Sequence, residues 1–339
     1  MGIKEYAAPH DVNQTFKDGF GVCRDVSALC VAMLKEAGID AYNVYTDITS
    51  HKIYEIATPA FQHQVVFAKM KNGEEVFIDV TDDICRDLMP GYYSKKPYLI
   101  LTKDGEDLKY HPLFAADKNL GKIEAVSKID DGGNLTSTVT ITGKGLYDEI
   151  LRQLGQYLEP EDQKRFFRRL INEIDPNAVL LDFSIEPNPV KQLSVPAKLT
   201  LKYKIPEFAV AAGDFMLLSV PNATHIFDIL TTTLSENLKL EKRNYDLRFL
   251  YNYGVDAHET IQLQKEYEAK SMPENTTVNN KQLTYSMSYN IEGNVVDFKY
   301  SLRLNEIDIP LRDYSDFRDA FTQYQNSAKG MLILSEEAK

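Results

Sequence analysis

Two apolar runs separated by a short Lys-Asn-Gly segment constrain the fold of this chain more than any other sequence feature. The first run spans residues 62–70, the second spans 75–81, and Lys71, Asn72 and Gly73 lie between them. Asn-Gly between two strand-like runs is the strongest local signal for a β-hairpin. The sequence therefore predicts two antiparallel strands joined by a tight turn.

The length of this turn decides which side chains share a face of the hairpin. With a two-residue Asn-Gly turn, His63 points away from Asp79. With a three-residue Lys-Asn-Gly loop, Val65 stands opposite Asp79, and His63 becomes a diagonal neighbour of that carboxylate on the same face. The residues alone leave both turns open.

An amphipathic helix is predicted ahead of the hairpin. Its apolar residues recur at spacings of three and four, which is typical of a helix with one buried face: Val22, Val26, Leu29, Met33 and Ala37. Gly38 is expected to cap its carboxy-terminal end, and Gly19 and Gly21 precede its start near Val22. Cys23 then lies in the first turn, where unpaired backbone N–H groups and the helix dipole favour a thiolate.

The cysteines are interpreted one by one. Cys23, Cys30 and Cys85 are too few and too unevenly spaced for a disulfide framework or a paired-cysteine metal site. Cys30 lies in the predicted buried face and is interpreted as a small buried hydrophobe. Cys23 lies beside that face and is the candidate nucleophile. Considered without a partner histidine, Cys23 could have a purely structural role.

A thiol nucleophile needs a base that takes its proton and a group that orients the base. His63 begins the first hairpin run and Asp79 lies in the second, so the three-residue loop would bring them together. The order Cys23, His63, Asp79 therefore predicts a catalytic triad. A separate structural role for each residue is the alternative.

The same stretch resembles the transglutaminase-like superfamily, which is built on a papain-type cysteine enzyme core. The resemblance rests on three motifs: Gly21-Val22-Cys23-Arg24-Asp25 opening the helix, Phe61-Gln62-His63 at a strand start, and Phe77-Ile78-Asp79-Val80-Thr81. It implies that Cys23 is the nucleophile, His63 the base and Asp79 its orienter, on a helix packed against an antiparallel sheet. Because relatives carry more sequence ahead of this core, the chain is expected to be the carboxy-terminal portion of a longer protein.

The remainder of the chain predicts two further modules with mainly antiparallel strands. The expected division is a transglutaminase-like catalytic core at 1–105, an α+β module at 106–222 with helices at 147–157 and 160–174, and a β-sandwich-like module at 223–339. The predicted fold class is therefore α+β. The later modules resemble, more weakly, the β-sandwich modules that follow such cores in many bacterial, especially Bacteroidetes-type, proteins.

Charge and composition exclude several classes of partner. The 339 residues carry 50 acidic and 38 basic side chains, a formal net charge of -12, and no basic stripe offsets this excess, so nucleic acid is not expected. No apolar run approaches the length of a membrane span. His111, His225 and His258 have no acidic or cysteine neighbours at ligand spacing in the sequence, so neither a metal nor another cofactor is expected.

The predicted activity is attack on an amide carbonyl through a thioester on Cys23. Water as acceptor would make a peptidase or amidase and a lysine amine would make a protein cross-linker; the sequence has no EF-hand-type calcium loop, and hydrolysis is favoured. The expected substrate is a peptide or protein, including cell-wall stem peptides. Gln14 and the Cys23 backbone N–H are the candidate oxyanion donors. The alternative is a catalytically inactive binding or scaffold protein.

Compartment and oligomeric state are not determined by these residues. The amino terminus as given has no apolar signal region, which favours the cytoplasm. A preceding region with a signal peptide would instead make the protein periplasmic or exported.

Overall fold

The amino-terminal unit combines the predicted helix and hairpin. The computed structural model describes residues 9–48, 61–224, 226–228, 230, 238–327 and 330–336. The chain divides into two units, 1–114 and 115–339. The first contains helices α1 (Val12–Asp18) and α2 (Cys23–Glu36) and strands β1 (Asp40–Thr46), β2 (His63–Lys69), β3 (Glu75–Ile78), β4 (Pro97–Ile100) and β5 (Lys109–Tyr110).

The five strands form one antiparallel sheet in the order β3-β2-β1-β4-β5. Helix α2 packs on β1 and β2. The Ser27 hydroxyl donates a hydrogen bond of 3.0 Å to the backbone oxygen of Gln64, which fixes the helix to the strand. The helix that begins at Cys23 is thereby joined to the strand that begins at His63.

The predicted ends of α2 are confirmed, but its predicted buried face is wrong. The helix begins at Cys23, and Gly38 just beyond it has the positive φ of 73° that glycine adopts readily. Val22 and Met33, expected inside, are 53% and 58% exposed. The face toward the sheet instead carries Ser27, Ala28 and Val31, with the partly buried Leu34 packed in the same cluster. An apolar row at helical spacing is therefore still present, but it is Ala28, Val31 and Leu34, which lie on a face rotated from the predicted one.

The hairpin has the three-residue loop. Val66 pairs with Ile78 and Lys69 with Glu75, and the Met70 N–H donates to the backbone oxygen of Glu74 at 2.8 Å. Gly73 has φ 86°, the left-handed conformation that closes such a loop. The register confirms the three-residue alternative, so residue 79 lies opposite residue 65.

The second unit is dominated by antiparallel strands. Its helices are α3 (Leu146–Tyr157), α4 (Pro160–Asn172) and α5 (Tyr314–Ser327). Its strands are β6 (Leu120–Ile129), β7 (Leu135–Gly143), β8 (Val179–Glu186), β9 (Lys198–Ile205), β10 (Val210–Ala212), β11 (Phe215–Leu218), β12 (Leu247–Arg248), β13 (Tyr253–Gln262), β14 (Tyr267–Ser271), β15 (Thr276–Asn279), β16 (Leu283–Glu292), β17 (Val295–Leu304), β18 (Asp308–Ile309) and β19 (Leu332–Glu336). The predicted β-rich α+β class is confirmed.

Eight of these strands form one sheet in the order β15-β16-β17-β13-β6-β7-β9-β8. Its neighbouring strands pair antiparallel except β6 and β13, which are parallel. Helices α3 and α4 pack on one half of the sheet and α5 on the other. Strands from residues 106–222 and 223–339 therefore share this sheet, and the division of the region into two modules stays a prediction. Among the described helices, none is both long and apolar enough to cross a bilayer.

Candidate active site

Cys23 is the first residue of α2, at the end of the helix where backbone N–H groups lack intrahelical acceptors. A hydrogen bond with His63 lowers the pKa of the Cys23 thiol, and its effect exceeds the opposing effect of partial burial. Hydrogen bonds from the backbone of Gln64 and Arg24 lower the pKa further. These contacts favour the thiolate, the nucleophilic form of cysteine.

The helix start is held in place by the buried carboxylate of Asp25. This carboxylate accepts hydrogen bonds from the backbone N–H of Val22 at 3.1 Å and of His10 at 2.9 Å. Gly21 packs so closely against it that a Cβ at this position would lie 2.7 Å from the Cβ of Asp25. A glycine at position 21 therefore allows Asp25 to cap the helix that carries Cys23.

His63 links the thiol to Asp79. Its Nε2 lies 3.0 Å from Oδ2 of Asp79. Burial by itself lowers the pKa of His63, but hydrogen bonds and charge interactions with Asp79 and Cys23 prevail and raise it to about 9. Because Nε2 is engaged by Asp79, Nδ1 is the ring nitrogen left for a second partner.

Asp79 is a buried carboxylate with four hydrogen-bond donors. Oδ2 accepts from His63 and from the Tyr93 hydroxyl at 2.7 Å, and Oδ1 accepts from the Thr81 hydroxyl at 2.6 Å and the Thr81 N–H at 3.0 Å. Burial opposes ionisation, yet these donors lower the pKa of Asp79 to about 2. The carboxylate therefore stays charged and can stabilise an imidazolium on His63.

Of the three residues singled out from the sequence, His63 and Asp79 are hydrogen-bonded to each other, and Cys23 lies close enough to His63 for the histidine to lower the pKa of its thiol. Sequence reasoning missed Tyr93, which follows Asp79 by fourteen positions and carries no motif of its own. Its full burial places a phenol beside the carboxylate, and burial of that kind cannot be read from local sequence.

The side-chain amide of Gln14, a candidate oxyanion donor, is already engaged by Asp18 on the same helix. Gln14 is exposed on α1, and its side-chain amide donates to Oδ1 of Asp18 at 2.7 Å. Two exposed residues four apart on a helix commonly pair in this way. Of the two candidate donors, the Cys23 backbone N–H lies in the first turn of its helix, where it has no intrahelical acceptor.

Two comparisons describe what the chain is similar to. Residues 223–334 match a family described as "Domain of Unknown Function with solved-structure structure (DUF3858)". No curated protein matches the chain. A crystal structure from Parabacteroides distasonis, described as a "putative protease", is similar with a TM-score of 0.51 and 11% identity. The likeness is one of fold.

The extent of that structural likeness differs between the two proteins. It covers 97% of this chain and 46% of the Parabacteroides chain, so this chain spans about half the length of that protein. The family match begins at residue 223, the residue at which the third sequence module was predicted to begin.

The remaining histidines were expected to lack acidic or cysteine neighbours at ligand spacing along the sequence, but the fold brings two carboxylates from other strands to His258. Its Nε2 lies 2.6 Å from Oδ2 of Asp297, and its Nδ1 lies 3.3 Å from Oε2 of Glu124. These carboxylates come from β17 and β6, which flank β13, so the contacts depend on strand pairing rather than sequence spacing. His111 is buried among aromatic rings, and His225 lies outside the described residues.

Selective alkylation tests the environment of Cys23. The contact with His63 lowers the pKa of Cys23, whereas burial raises the pKa of Cys30. Limiting iodoacetamide at neutral pH should therefore label Cys23 at least about tenfold faster than Cys30 or the buried Cys85, as peptide mass spectrometry would measure. Faster labelling of Cys30 or Cys85 would contradict the assignment.

Proposed function

We propose that this chain is a transglutaminase-like cysteine enzyme that attacks amide carbonyls through Cys23, His63 and Asp79. The observation that carries the proposal is the hydrogen bond between His63 and the carboxylate of Asp79, beside a Cys23 thiol whose pKa the same histidine lowers. A helix that presents its first residue to a histidine on an antiparallel sheet agrees with the papain-type core of that superfamily.

The proposed reaction begins with a thiolate on Cys23 and an imidazolium on His63. The thiolate sulfur adds to the amide carbonyl carbon, and the Cys23 backbone N–H stabilises the resulting oxyanion. His63 gives its proton to the departing amine, which leaves a thioester on Cys23. Neutral His63 then takes a proton from water or from an acceptor amine as that molecule attacks the thioester. The acyl group is released, and the thiolate–imidazolium pair is restored.

We favour hydrolysis over transfer, so the expected class is a peptidase or amidase. The Parabacteroides structure described as a "putative protease" supports this choice through its fold. The substrate is a peptide or protein. A net charge of -12 favours neutral or basic segments, including lysine-bearing cell-wall stem peptides.

A peptide library incubated with and without a labelled primary amine tests the proposal. Wild type is compared with Cys23→Ala and with Cys30→Ala, which removes a thiol seven residues further along the same helix. Fragments that depend on Cys23 but not on Cys30 would support hydrolysis, and Cys23-dependent incorporation of the amine would support transfer. A folded wild type that selectively alkylates Cys23 yet yields neither product would favour the scaffold alternative.

The pH dependence of peptide cleavage should be bell-shaped. Cys23 must be a thiolate, so the rate rises as pH increases through its lowered pKa, and His63 must be protonated, so the rate falls above its pKa of about 9. Each limb should change the rate about tenfold per pH unit. Initial rates of the best library peptide would measure it, with Cys30→Ala retaining both limbs. A rate that keeps rising beyond the pKa of His63 would contradict the ion pair.

A further inference from the structure

We propose that Tyr93 is a positioning residue of this site, because its phenol directs one carboxylate oxygen of Asp79 toward His63. The inference rests on the proposed function, since it assigns Tyr93 a role in maintaining the reactive state of Cys23. Tyr93 ends the short 3-10 helix Gly91–Tyr93, and its hydroxyl donates to Oδ2 of Asp79 at 2.7 Å.

The two oxygens of Asp79 are held by different parts of the chain. Thr81 binds Oδ1 through its hydroxyl and its N–H, and it lies only two residues further along. Tyr93 and His63 both meet Oδ2. The two hydrogen bonds from Thr81 hold only Oδ1. With these bonds alone, the carboxylate could rotate so that Oδ2 turns away from His63. The second fixed point is the Tyr93 hydroxyl.

The phenol is well suited to this role because it is immobile and stays protonated. Tyr93 has 0% exposure and packs in the core cluster with Val65 and Phe67. Its ring centroid lies 4.9 Å from that of Tyr92 and 5.9 Å from that of His111. Burial, together with the charge of Asp79, raises the pKa of Tyr93 far above its ordinary value, so the hydroxyl remains a donor.

The consequence for Cys23 runs through His63. An aligned Oδ2 stabilises the imidazolium, and the imidazolium stabilises the thiolate. Tyr93→Phe removes only the hydroxyl and leaves the carboxylate held at Oδ1. The imidazolium then loses part of its support, and a smaller fraction of Cys23 is ionised at mildly acidic pH.

Alkylation of Cys23 measures this fraction without any substrate. In Tyr93→Phe, the rate of iodoacetamide labelling at about pH 6 should fall about tenfold relative to wild type, as peptide mass spectrometry would follow. The rate at strongly alkaline pH, where every thiol is ionised, should stay within about twofold of wild type. A merely structural role for the hydroxyl would change the melting temperature and leave the pH profile in place.

Tyr98→Phe is the matched control. Tyr98 packs in the same aromatic cluster, with its ring 4.9 Å from Phe77 and 4.5 Å from His111. It loses an identical hydroxyl and should keep the wild-type alkylation profile. The proposal is overturned if Tyr93→Phe folds and keeps the wild-type profile, or if Tyr98→Phe shows the same loss.

A double-mutant cycle with Asp79→Asn isolates the path of the effect. Because Tyr93 acts through Asp79, adding Tyr93→Phe to Asp79→Asn should change the alkylation rate by less than about twofold. A further tenfold loss would show that Tyr93 acts by another route. If Tyr93→Phe does not fold, 4-fluorophenylalanine at position 93 fills the hydroxyl volume without donating, and an unchanged profile in that variant overturns the proposal.

This test separates the inference from the proposed function. A tenfold loss of alkylation in Tyr93→Phe would stand even if wild type cleaves no peptide, and the enzyme proposal would then fail alone. Peptide cleavage that depends on Cys23, together with an unchanged alkylation profile in Tyr93→Phe, would leave the enzyme proposal intact and remove the role of Tyr93.

Discussion

Replacing Asp79 by Asn is expected to lower kcat/KM for amide cleavage by about 10³–10⁴-fold, the scale on which loss of a triad carboxylate acts. The carboxylate accepts from four donors, and an amide replaces one of its oxygens with an NH2 group that must face at least one of them. The imidazolium of His63 also loses the charge that raises its pKa to about 9. Both effects reduce the population of the thiolate–imidazolium pair.

The matched control for this variant is Asp83→Asn. Asp83 is an exposed carboxylate four residues further along, so its replacement removes the same charge from the same loop. Asp83→Asn should retain kcat/KM within about twofold. Circular dichroism would establish that both variants fold. A folded Asp79→Asn variant that cleaves at the wild-type rate would remove Asp79 from the mechanism.

Inserting one alanine between Glu75 and Val76 is expected to reduce activity by at least about 10³-fold, because it moves every later residue of β3 to the other face. Asp79 would then point away from His63. The insertion also exchanges Phe77 and Ile78, which pack against two different core clusters. Placing each side chain in a space shaped for the other should lower the free energy of unfolding by roughly 2–5 kcal/mol.

The control is the same alanine placed between Lys71 and Asn72, inside the hairpin loop. A longer loop leaves the pairing of β2 with β3 unchanged, and surface loops tolerate insertions well. This variant should keep at least about a third of wild-type kcat/KM and a melting temperature close to wild type. Equal loss of activity from the two insertions would contradict the argument from strand register.

The hairpin and the ends of α2 were predictable because their signals are local. Asn-Gly between two strand-like runs gives a turn, and Gly38 stops a helix whatever surrounds it. The local sequence did not determine which of the two turn lengths the hairpin has. The turn length became predictable only through the chemistry that His63 and Asp79 would perform on one face, and the register agrees with that choice.

The buried face of α2 and the contacts of Tyr93 could not be predicted in the same way. Hydrophobic spacing pointed to Val22 and Met33, but Ala28, Val31 and Leu34 form a second apolar row at helical spacing. That second row is the one that faces the sheet, and spacing alone does not choose between two such rows. Tyr93 reaches Asp79 from a separate segment of the first unit. Such contacts form only when distant segments pack together, so the sequence contains no repeating pattern that predicts them.

The parallel pairing of β6 with β13 bears on how the second unit is made during translation. β6 emerges from the ribosome before β13, which follows only after the whole stretch from residue 130 to residue 252. Until then β6 has an open edge whose N–H and C=O groups can pair with another nascent chain. Pairing over so long a stretch is also slow, since a large loop must close first. The eight-stranded sheet is therefore complete only after Tyr253–Gln262 has been synthesised, and shorter nascent chains leave this edge of β6 unpaired.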